Sequence, residues 1–309
     1  MEAFHEKRQE SIAAGAEAFR IVGMKKEEEA VSTGTKKKKG PKLPVVSLVV
    51  LGLILAGCLI FPFLIKKDPS YMDLMSANQA PCRQFLFGTD TMGRDIFHMI
   101  WSGGRISLFI GCVSTLISTV IAILFGGLSG IAPQWADTLL MRFTEVFLSI
   151  PNLLLVILLQ AILGKPNVLS VSLVIGVTSW ASIAKVVRTE VRQIRGSDYV
   201  TASRCMGGGF FHILWHHLAP NFISSIMFMV VMNVRSAIVS ESTLSFMGIG
   251  LPLEIISWGS MLSLSEKALL TGSWWIILIP GIFLVVTLLC MTAIGNDLRR
   301  QVNQKQSNL

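Results

Sequence analysis

Six long stretches of the chain contain no Asp, Glu, Lys or Arg. A helix that crosses about 30 Å of hydrocarbon needs roughly 20 consecutive, mostly apolar residues, and each stretch is about that long or longer. They run from 43 to 65, 106 to 136, 146 to 164, 166 to 184, 205 to 234 and 268 to 296. Because a backbone in lipid must satisfy its polar groups internally, and the alternating pattern of barrel strands is absent, we expect six membrane-spanning helices.

The composition argues against the soluble alternatives. Charged residues make up only 15% of the 309 residues and apolar residues 52%, whereas ordinary soluble domains are about 25% charged. Mean hydropathy is +0.61. The five cysteines are too few and too scattered for an extracellular disulfide scaffold. The fold class that remains is an all-α polytopic membrane protein.

The distribution of Lys and Arg predicts the orientation of the helices. With the N-terminus inside, 19 of the 27 Lys and Arg residues lie in cytoplasmic segments and 7 lie outside, which agrees with the retention of basic residues in the cytoplasm. We therefore expect both termini to be cytoplasmic. The net charge of +8 reflects this topology, and no nucleic-acid partner is expected.

The same count divides the chain into successive segments. We expect a cytoplasmic basic leader (1–42), a first transmembrane helix (43–65), an extracytoplasmic connection (66–105), a five-helix core (106–296) and a cytoplasmic tail (297–309). The first apolar segment comes too late and is too long for a cleavable signal peptide. A solvated basic leader that helps to set the topology and can contact anionic membrane lipid is favoured, with a regulatory or partner-docking role as the alternative.

Glycine and proline positions predict local features of the spans. Gly126 and Gly130 have the GxxxG spacing that lets two helices approach closely in lipid. Pro133 is expected to end the second span. The pairs Ile150-Pro151 and Pro280-Gly281 are expected to kink theirs, because proline removes a helical hydrogen bond.

Motifs of the common enzyme classes are absent from the sequence. It contains no Walker A motif, HExxH, paired Cys-x-x-Cys or Gly-x-Ser-x-Gly. His212, His216 and His217 are close in sequence, but Cys205 is the one plausible further metal ligand near them. We therefore expect neither a metal site nor an enzyme.

Several motifs occur together and in a characteristic order. One lies in the cytoplasmic connection at about 189–217 and reads Tyr199-Val200-Thr201-Ala202-Ser203-Arg204-x-x-Gly207. Before it stands Phe87-Gly88-Thr89-Asp90-x-x-Gly93-Arg94-Asp95, and after it Glu241-Ser242-Thr243-Leu244-Ser245-Phe246. This set resembles the second ("C"-type) permease subunit of the dipeptide/oligopeptide/nickel family of binding-protein-dependent ABC importers, over about 86–299.

The resemblance implies a fold, a role and a set of partners. The fold would be a six-helix, type I ABC importer transmembrane domain in the bacterial inner membrane. The partners would be a homologous permease, two ATP-binding subunits and an extracytoplasmic substrate-binding protein. The chain itself would bind no cofactor, since ATP and Mg would be used by the ATP-binding subunits.

The resemblance also implies an ATPase-coupling helix within the 189–217 connection. Its expected contact residues are Tyr199, Thr201, Ala202, Ser203 and Gly207. Two of them depart from the family pattern, because Thr201 stands where Glu is usual and Ser203 where a second Ala is usual. On the residues alone, a plain solvated loop is the alternative.

Two ionisable residues of the fifth span are candidates for the transport path or its gate. Arg235 lies about 21 Å into a helix that begins near Asn221, at 1.5 Å per residue. A charge at such depth should face protein or a wet cavity. Glu241 is six residues further, a poor spacing for a pair on one helix face. A structural ion pair or snorkelling at the outer interface is the alternative.

Residues in the extracytoplasmic connection are expected to form a tight turn held by local ion pairs. They are Gly88, Asp90, Gly93, Arg94 and Asp95. Direct contact with a substrate-binding protein is the alternative interpretation of this segment.

The residues leave the transported solute open. The resemblance favours oligopeptides or dipeptides, and nickel or a metallophore would fit the same motifs. An ion-coupled secondary transporter, which would work without partners, is the alternative from another class. It would need carboxylates in the middle of the spans, and the six charge-free stretches contain none.

Overall fold

The computed structural model describes residues 44–64, 68–196, 205–206, 219–252 and 254–307, with only the backbone described at 219–225, 265–267 and 302–307. Within these ranges the chain is helical, with a single isolated bridge between Thr89 and Asp95. The helices are α1 (Val45–Leu64), α2 (Ile96–Ile131), α3 (Gln134–Ser149), α4 (Asn152–Leu163), α5 (Val168–Thr178), α6 (Trp180–Arg195), α7 (Ala219–Phe246), α8 (Trp258–Leu262), α9 (Ser265–Leu270) and α10 (Trp275–Ser307).

Three of the described helices are individually long and apolar enough to cross a membrane, namely α1, α2 and α10. Two further spans are possible if each of the bent pairs α3–α4 and α5–α6 counts as one broken span. By length and composition the described residues thus contain three to five candidate spans. Residues 207–218 of the predicted stretch 205–234 lie outside the described residues, so the number six stays a prediction, while the all-helical class is confirmed.

The bends occur where the backbone loses helical hydrogen bonds. The α3–α4 pair turns by 89° at Ile150-Pro151, the pair at which the sequence predicts a kink. The α5–α6 pair turns by 45° at Ser179. By contrast, α10 continues as one helix through Pro280. Of the two prolines predicted to kink a span, Pro151 therefore coincides with a helix break, whereas Pro280 is accommodated within a continuous helix.

Helix α2 begins ten residues before the charge-free stretch that predicts it, at Ile96 instead of 106. Asp95 caps its N-terminus by accepting a hydrogen bond from the Phe97 N–H at 2.9 Å. Arg105 lies within the helix and is exposed. A charge-free stretch marks the part of a helix suited to lipid, whereas the helix itself begins at its cap. The predicted connection 66–105 is therefore helical from 96, and α2 ends at Ile131, just before Pro133.

The central helix is α2, which packs against α1, α5, α6 and α7. Its contact with α6 is close because Gly126 and Gly130 face that helix. A Cβ atom added to Gly126 would collide with the Ala184 carbonyl oxygen, and one added to Gly130 would lie 2.7 Å from Val191 Cγ1. The GxxxG spacing therefore marks a real site of close helix approach.

Candidate functional site

A cavity of about 500 Å³ lies beside both helix breaks. Pro151 and Asn152 line it from the α3–α4 break, and Ser179 and Ser182 line it from the α5–α6 break. Helix α7 supplies a further wall that includes Arg235. Irregular backbone at membrane depth is tolerated where it borders protein or a water-filled cavity. The two helix breaks therefore border one common cavity within the described residues.

The depth of this cavity follows from a contact between α7 and α2. Asn233 Nδ2 donates to Ser118 Oγ at 2.5 Å, and Ser118 is fully buried. Ser118 lies close to the middle of the charge-free part of α2, which runs from 106 to 131. Arg235 is two residues after Asn233, about 3 Å along α7 at 1.5 Å per residue, and therefore lies near the level of the middle of this charge-free part.

The Arg235 guanidinium has no acidic partner among the described side chains. Its Nε atom is buried and makes no hydrogen bond to any described group. The structural ion pair with Glu241 that the sequence allows is not formed, and snorkelling is disfavoured by the mid-layer depth. Arg235 instead borders the cavity at the helix breaks.

The helices that start at the two breaks add positive partial charge to the same cavity. Helix α4 follows Pro151 and α6 follows Ser179, and neither of these residues makes a side-chain capping hydrogen bond. The first-turn N–H groups of a helix carry roughly half a unit of positive charge. Each break also ends a helix, α3 at Ser149 and α5 at Thr178, and the C-terminal carbonyls there carry the opposite partial charge. The one full charge of the described lining is therefore that of Arg235.

Glu241 occupies a different environment from Arg235. It is fully buried and accepts hydrogen bonds from four serine hydroxyls. Its donors are Ser257 Oγ at 2.7 Å, Ser245 Oγ at 2.9 Å, Ser107 Oγ at 3.0 Å and, at a longer distance of 3.4 Å, Ser242 Oγ. The carboxyl group is enclosed by protein and does not line the cavity at the helix breaks.

Three of the four serine hydroxyls around Glu241 are oriented by backbone N–H groups. Each of the three accepts one such donor, namely Trp258 N–H to Ser107, Ser260 N–H to Ser257 and Leu251 N–H to Ser245. A hydroxyl whose oxygen already accepts can direct its own proton to the carboxylate. Glu241 thereby joins α2, α7 and the segment before α8, and this geometry favours a structural clamp over a gate.

The five residues predicted to form a turn are brought together in one. Asp90 accepts from Arg94 Nε at 2.6 Å, and both side chains are almost fully buried. The Asp90 carboxylate also accepts from the Arg94 and Met92 N–H groups at 2.8 Å. Gly88 and Gly93 have φ of +76° and +74°, a region that side chains other than glycine adopt rarely. Asp95 ends the turn by capping α2.

Gly93→Ala is expected to disrupt this turn, because the added Cβ would collide with the main-chain carbonyl of Asp73 in addition to straining the backbone. Gly164→Ala is the matched control, since Gly164 also has a positive φ, +83°, but has open space around it. Strain alone costs of order 1 kcal/mol. We expect a clearly larger fall in the melting temperature of the purified protein for Gly93→Ala. Equal shifts would mean that the Asp73 contact is unimportant.

An ion-pair cluster that the sequence analysis missed joins α3 to the end of α6. Asp137 is buried and accepts from Arg188 Nε at 2.5 Å and Nη2 at 2.6 Å, from Arg192 at 2.9 Å and from Ser129 Oγ at 2.5 Å. Arg195 also donates to the Ile131 carbonyl at 2.8 Å. The available signal was the i, i+4 spacing of Arg188 and Arg192, which places two cations on one helix face.

The predicted coupling residues Tyr199, Thr201, Ala202, Ser203 and Gly207 lie outside the described residues. Helix α6 ends directly before them, at Arg195. No cluster of His, Cys, Asp and Glu that could hold a metal ion is found among the residues with a described position.

Comparison with known proteins identifies the class to which this helical chain belongs. Residues 118–304 match the family described as binding-protein-dependent transport system inner membrane component. The chain therefore belongs to this family of inner-membrane transport components. The match confirms the sequence-based identification of a transport permease and not an enzyme.

Curated relatives and a solved structure refine the assignment. The oligopeptide transport system permease protein OppC of Bacillus subtilis strain 168 is 33% identical over 85% of this chain and 86% of its own length. The dipeptide transport system permease protein DppC of the same organism is 34% identical over 87% of this chain and 84% of its own. The inward-facing MetNI methionine ABC transporter aligns with a TM-score of 0.55 at 18% identity, over 66% of this chain and 96% of that one. The fold is that of a type I ABC importer permease.

Proposed function

We propose that the protein is one permease subunit of an ATP-driven peptide importer and forms half of its translocation path. The observation that carries the proposal is the end-to-end similarity to relatives named as oligopeptide and dipeptide permeases, each aligned over more than four fifths of both chains. The polar cavity beside the two helix breaks agrees with it, because irregular backbone at membrane depth is tolerated where it lines a water-filled cavity.

The proposed complex contains a homologous permease, two ATP-binding subunits and an extracytoplasmic binding protein. ATP and Mg are used by the ATP-binding subunits, and both termini of this chain lie in the cytoplasm. The 189–217 connection provides the coupling helix, and closure of the ATP-binding subunits moves it and the attached α6. The Asp137–Arg188–Arg192 cluster supports such a transfer of motion, since it joins the end of α6 to α3.

Within this proposal the two candidate path residues have different roles. Arg235 lines the path, because it borders the cavity at the helix breaks. Glu241 holds the path in shape, because its enclosed carboxyl group links three segments through Ser107, Ser245 and Ser257.

The proposal is tested by isolating the tagged chain from its native membranes in mild detergent. We expect a second permease and two ATP-binding subunits to co-purify, and ATP hydrolysis by the reconstituted complex to increase with peptide-loaded binding protein. Uptake of labelled trialanine into liposomes, compared with uptake of Ni²⁺, then assigns the solute. Recovery of an ATPase-free chain that transports alone would contradict the proposal and favour a secondary transporter.

A further inference from the structure

The cavity at the helix breaks contains an arrangement that a neutral solute does not require. Arg235 contributes a full positive charge at mid-membrane depth, and its Nε atom is buried without a hydrogen-bond partner among the described residues. A buried donor without an acceptor costs about 1–3 kcal/mol, and more when it is charged. The residue as a whole is partly exposed, and it lies on the cavity wall with this one N–H lacking an acceptor.

The surroundings of Arg235 favour an anion over any other ligand. Asn152, Ser179, Ser182 and Asn233 line the cavity with polar side chains, and no Asp or Glu belongs to its described lining. A planar guanidinium matches the two oxygens of a carboxylate in particular.

We propose that this cavity is a carboxylate-binding site in the path, in which Arg235 holds the C-terminal carboxylate of the passing peptide. The inference rests on the proposed peptide transport and adds a point of recognition within the permease itself. The amide and hydroxyl groups at the breaks would hold the adjoining peptide backbone. A volume of about 500 Å³ accommodates a small peptide, within the usual size of ligand pockets.

The test compares two peptides that differ only at this carboxylate. The complete transporter and its binding protein are reconstituted in liposomes, and uptake of trialanine is compared with that of trialaninamide. We expect Arg235→Gln to reduce trialanine uptake about tenfold or more, since hydrogen bonds to charged groups are worth about 1.5–3 kcal/mol, and trialaninamide uptake less than twofold. The wild type and the Arg235→Gln variant are assayed with the same binding protein. The preference of the binding protein therefore cancels when the uptake of each peptide by the variant is divided by its uptake by the wild type. Arg142→Gln is the control, because Arg142 is exposed on α3 outside the cavity.

Two additions keep the test decisive. Arg235→Lys retains the charge and should preserve most of the preference for the acid, which covers the case in which Arg235→Gln does not assemble. A cysteine introduced at Ser236, on the cavity wall, should be protected from a maleimide by trialanine and not by the amide. This measurement needs neither ATP nor binding protein. Labelling of the cysteines already in the chain is measured on the same complex without the introduced cysteine and is subtracted.

The outcomes separate this inference from the proposed function. Wild-type uptake of trialanine with equal loss of both peptides in Arg235→Gln would overturn the carboxylate site alone, and would indicate that an acid of the partner permease pairs with Arg235. Unchanged uptake of both peptides in that variant would overturn it as well. Absence of trialanine transport by the wild type, together with absence of cysteine protection, would overturn both proposals.

Discussion

Gly126→Ala should destabilise the protein by about 3 kcal/mol, whereas Gly127→Ala, one residue further on the same helix, should be neutral or slightly stabilising. A Cβ atom at Gly126 would collide with the main-chain carbonyl of Ala184 and lie 2.7 Å from Val187 Cβ, so α2 and α6 would have to separate. Overpacking of this kind costs 1–3 kcal/mol, and the upper end applies because a backbone atom cannot rotate away. At Gly127 the same Cβ meets nothing within 4 Å, and alanine favours a helix interior over glycine by about 0.5–1 kcal/mol.

The measurement is the thermal midpoint of the detergent-purified complex, together with the yield of assembled complex. Both variants add one methyl group to adjacent positions of α2, so insertion and expression effects are matched. The thermal midpoint should fall for Gly126→Ala and should stay the same or rise slightly for Gly127→Ala. Equal destabilisation by both variants, or a stable Gly126→Ala, would show that α2 and α6 are not held together by this contact.

The sequence predicts the lipid-facing parts of this fold better than its helix ends. A count of charges finds where a helix can lie in hydrocarbon, because ionisable groups there are costly. It cannot find the start of α2 at Ile96, since Arg105 interrupts the charge-free stretch within the helix. The helix begins instead where the Asp95 side chain caps it, a start signal of a kind that a count of charges does not register.

The polar side chains of the candidate site were predictable only in part. The depth of Arg235 follows from residue spacing, but its cavity depends on two helix breaks that meet it from other elements. The breaks at Pro151 and Ser179 differ in this respect, since proline signals an interruption and serine does not. Sequence alone does not indicate that these elements converge.

Long-range polar contacts were invisible for a similar reason. Asp137 and Arg188 are 51 residues apart, and the serines around Glu241 come from three segments, the furthest of which is 134 residues away in sequence. Serine is common in membrane helices, where its hydroxyl can bond to its own backbone. Its use as a donor to a buried carboxylate is therefore determined by packing and not by a local pattern.

Asp137→Ala is expected to impair both stability and transport, and far more than Glu145→Ala on the same helix. Both acids lie on α3 and both contact cations of α6. The Asp137 side chain is only 5% exposed and binds two arginines, whereas Glu145 is 46% exposed and reaches Lys185 at 3.9 Å. Breaking a buried pair costs 3–5 kcal/mol because the remaining charge loses its partner. Since Arg188 is 25% exposed, we expect about 3 kcal/mol for Asp137, against 0–1 kcal/mol for an exposed pair.

The transport effect follows from the position of the cluster at the end of α6, directly before the proposed coupling segment. Without Asp137, motion of that segment would bend the end of α6 instead of moving α3 and the cavity wall that α3 contributes. Peptide uptake per ATP hydrolysed in liposomes is the measurement, with the thermal midpoint recorded for the same preparations. We expect Asp137→Ala to hydrolyse ATP with little uptake and Glu145→Ala to match the wild type. If Asp137→Ala lost stability but kept its uptake per ATP, the cluster would only hold the helices together, and the motion would reach the path by another contact.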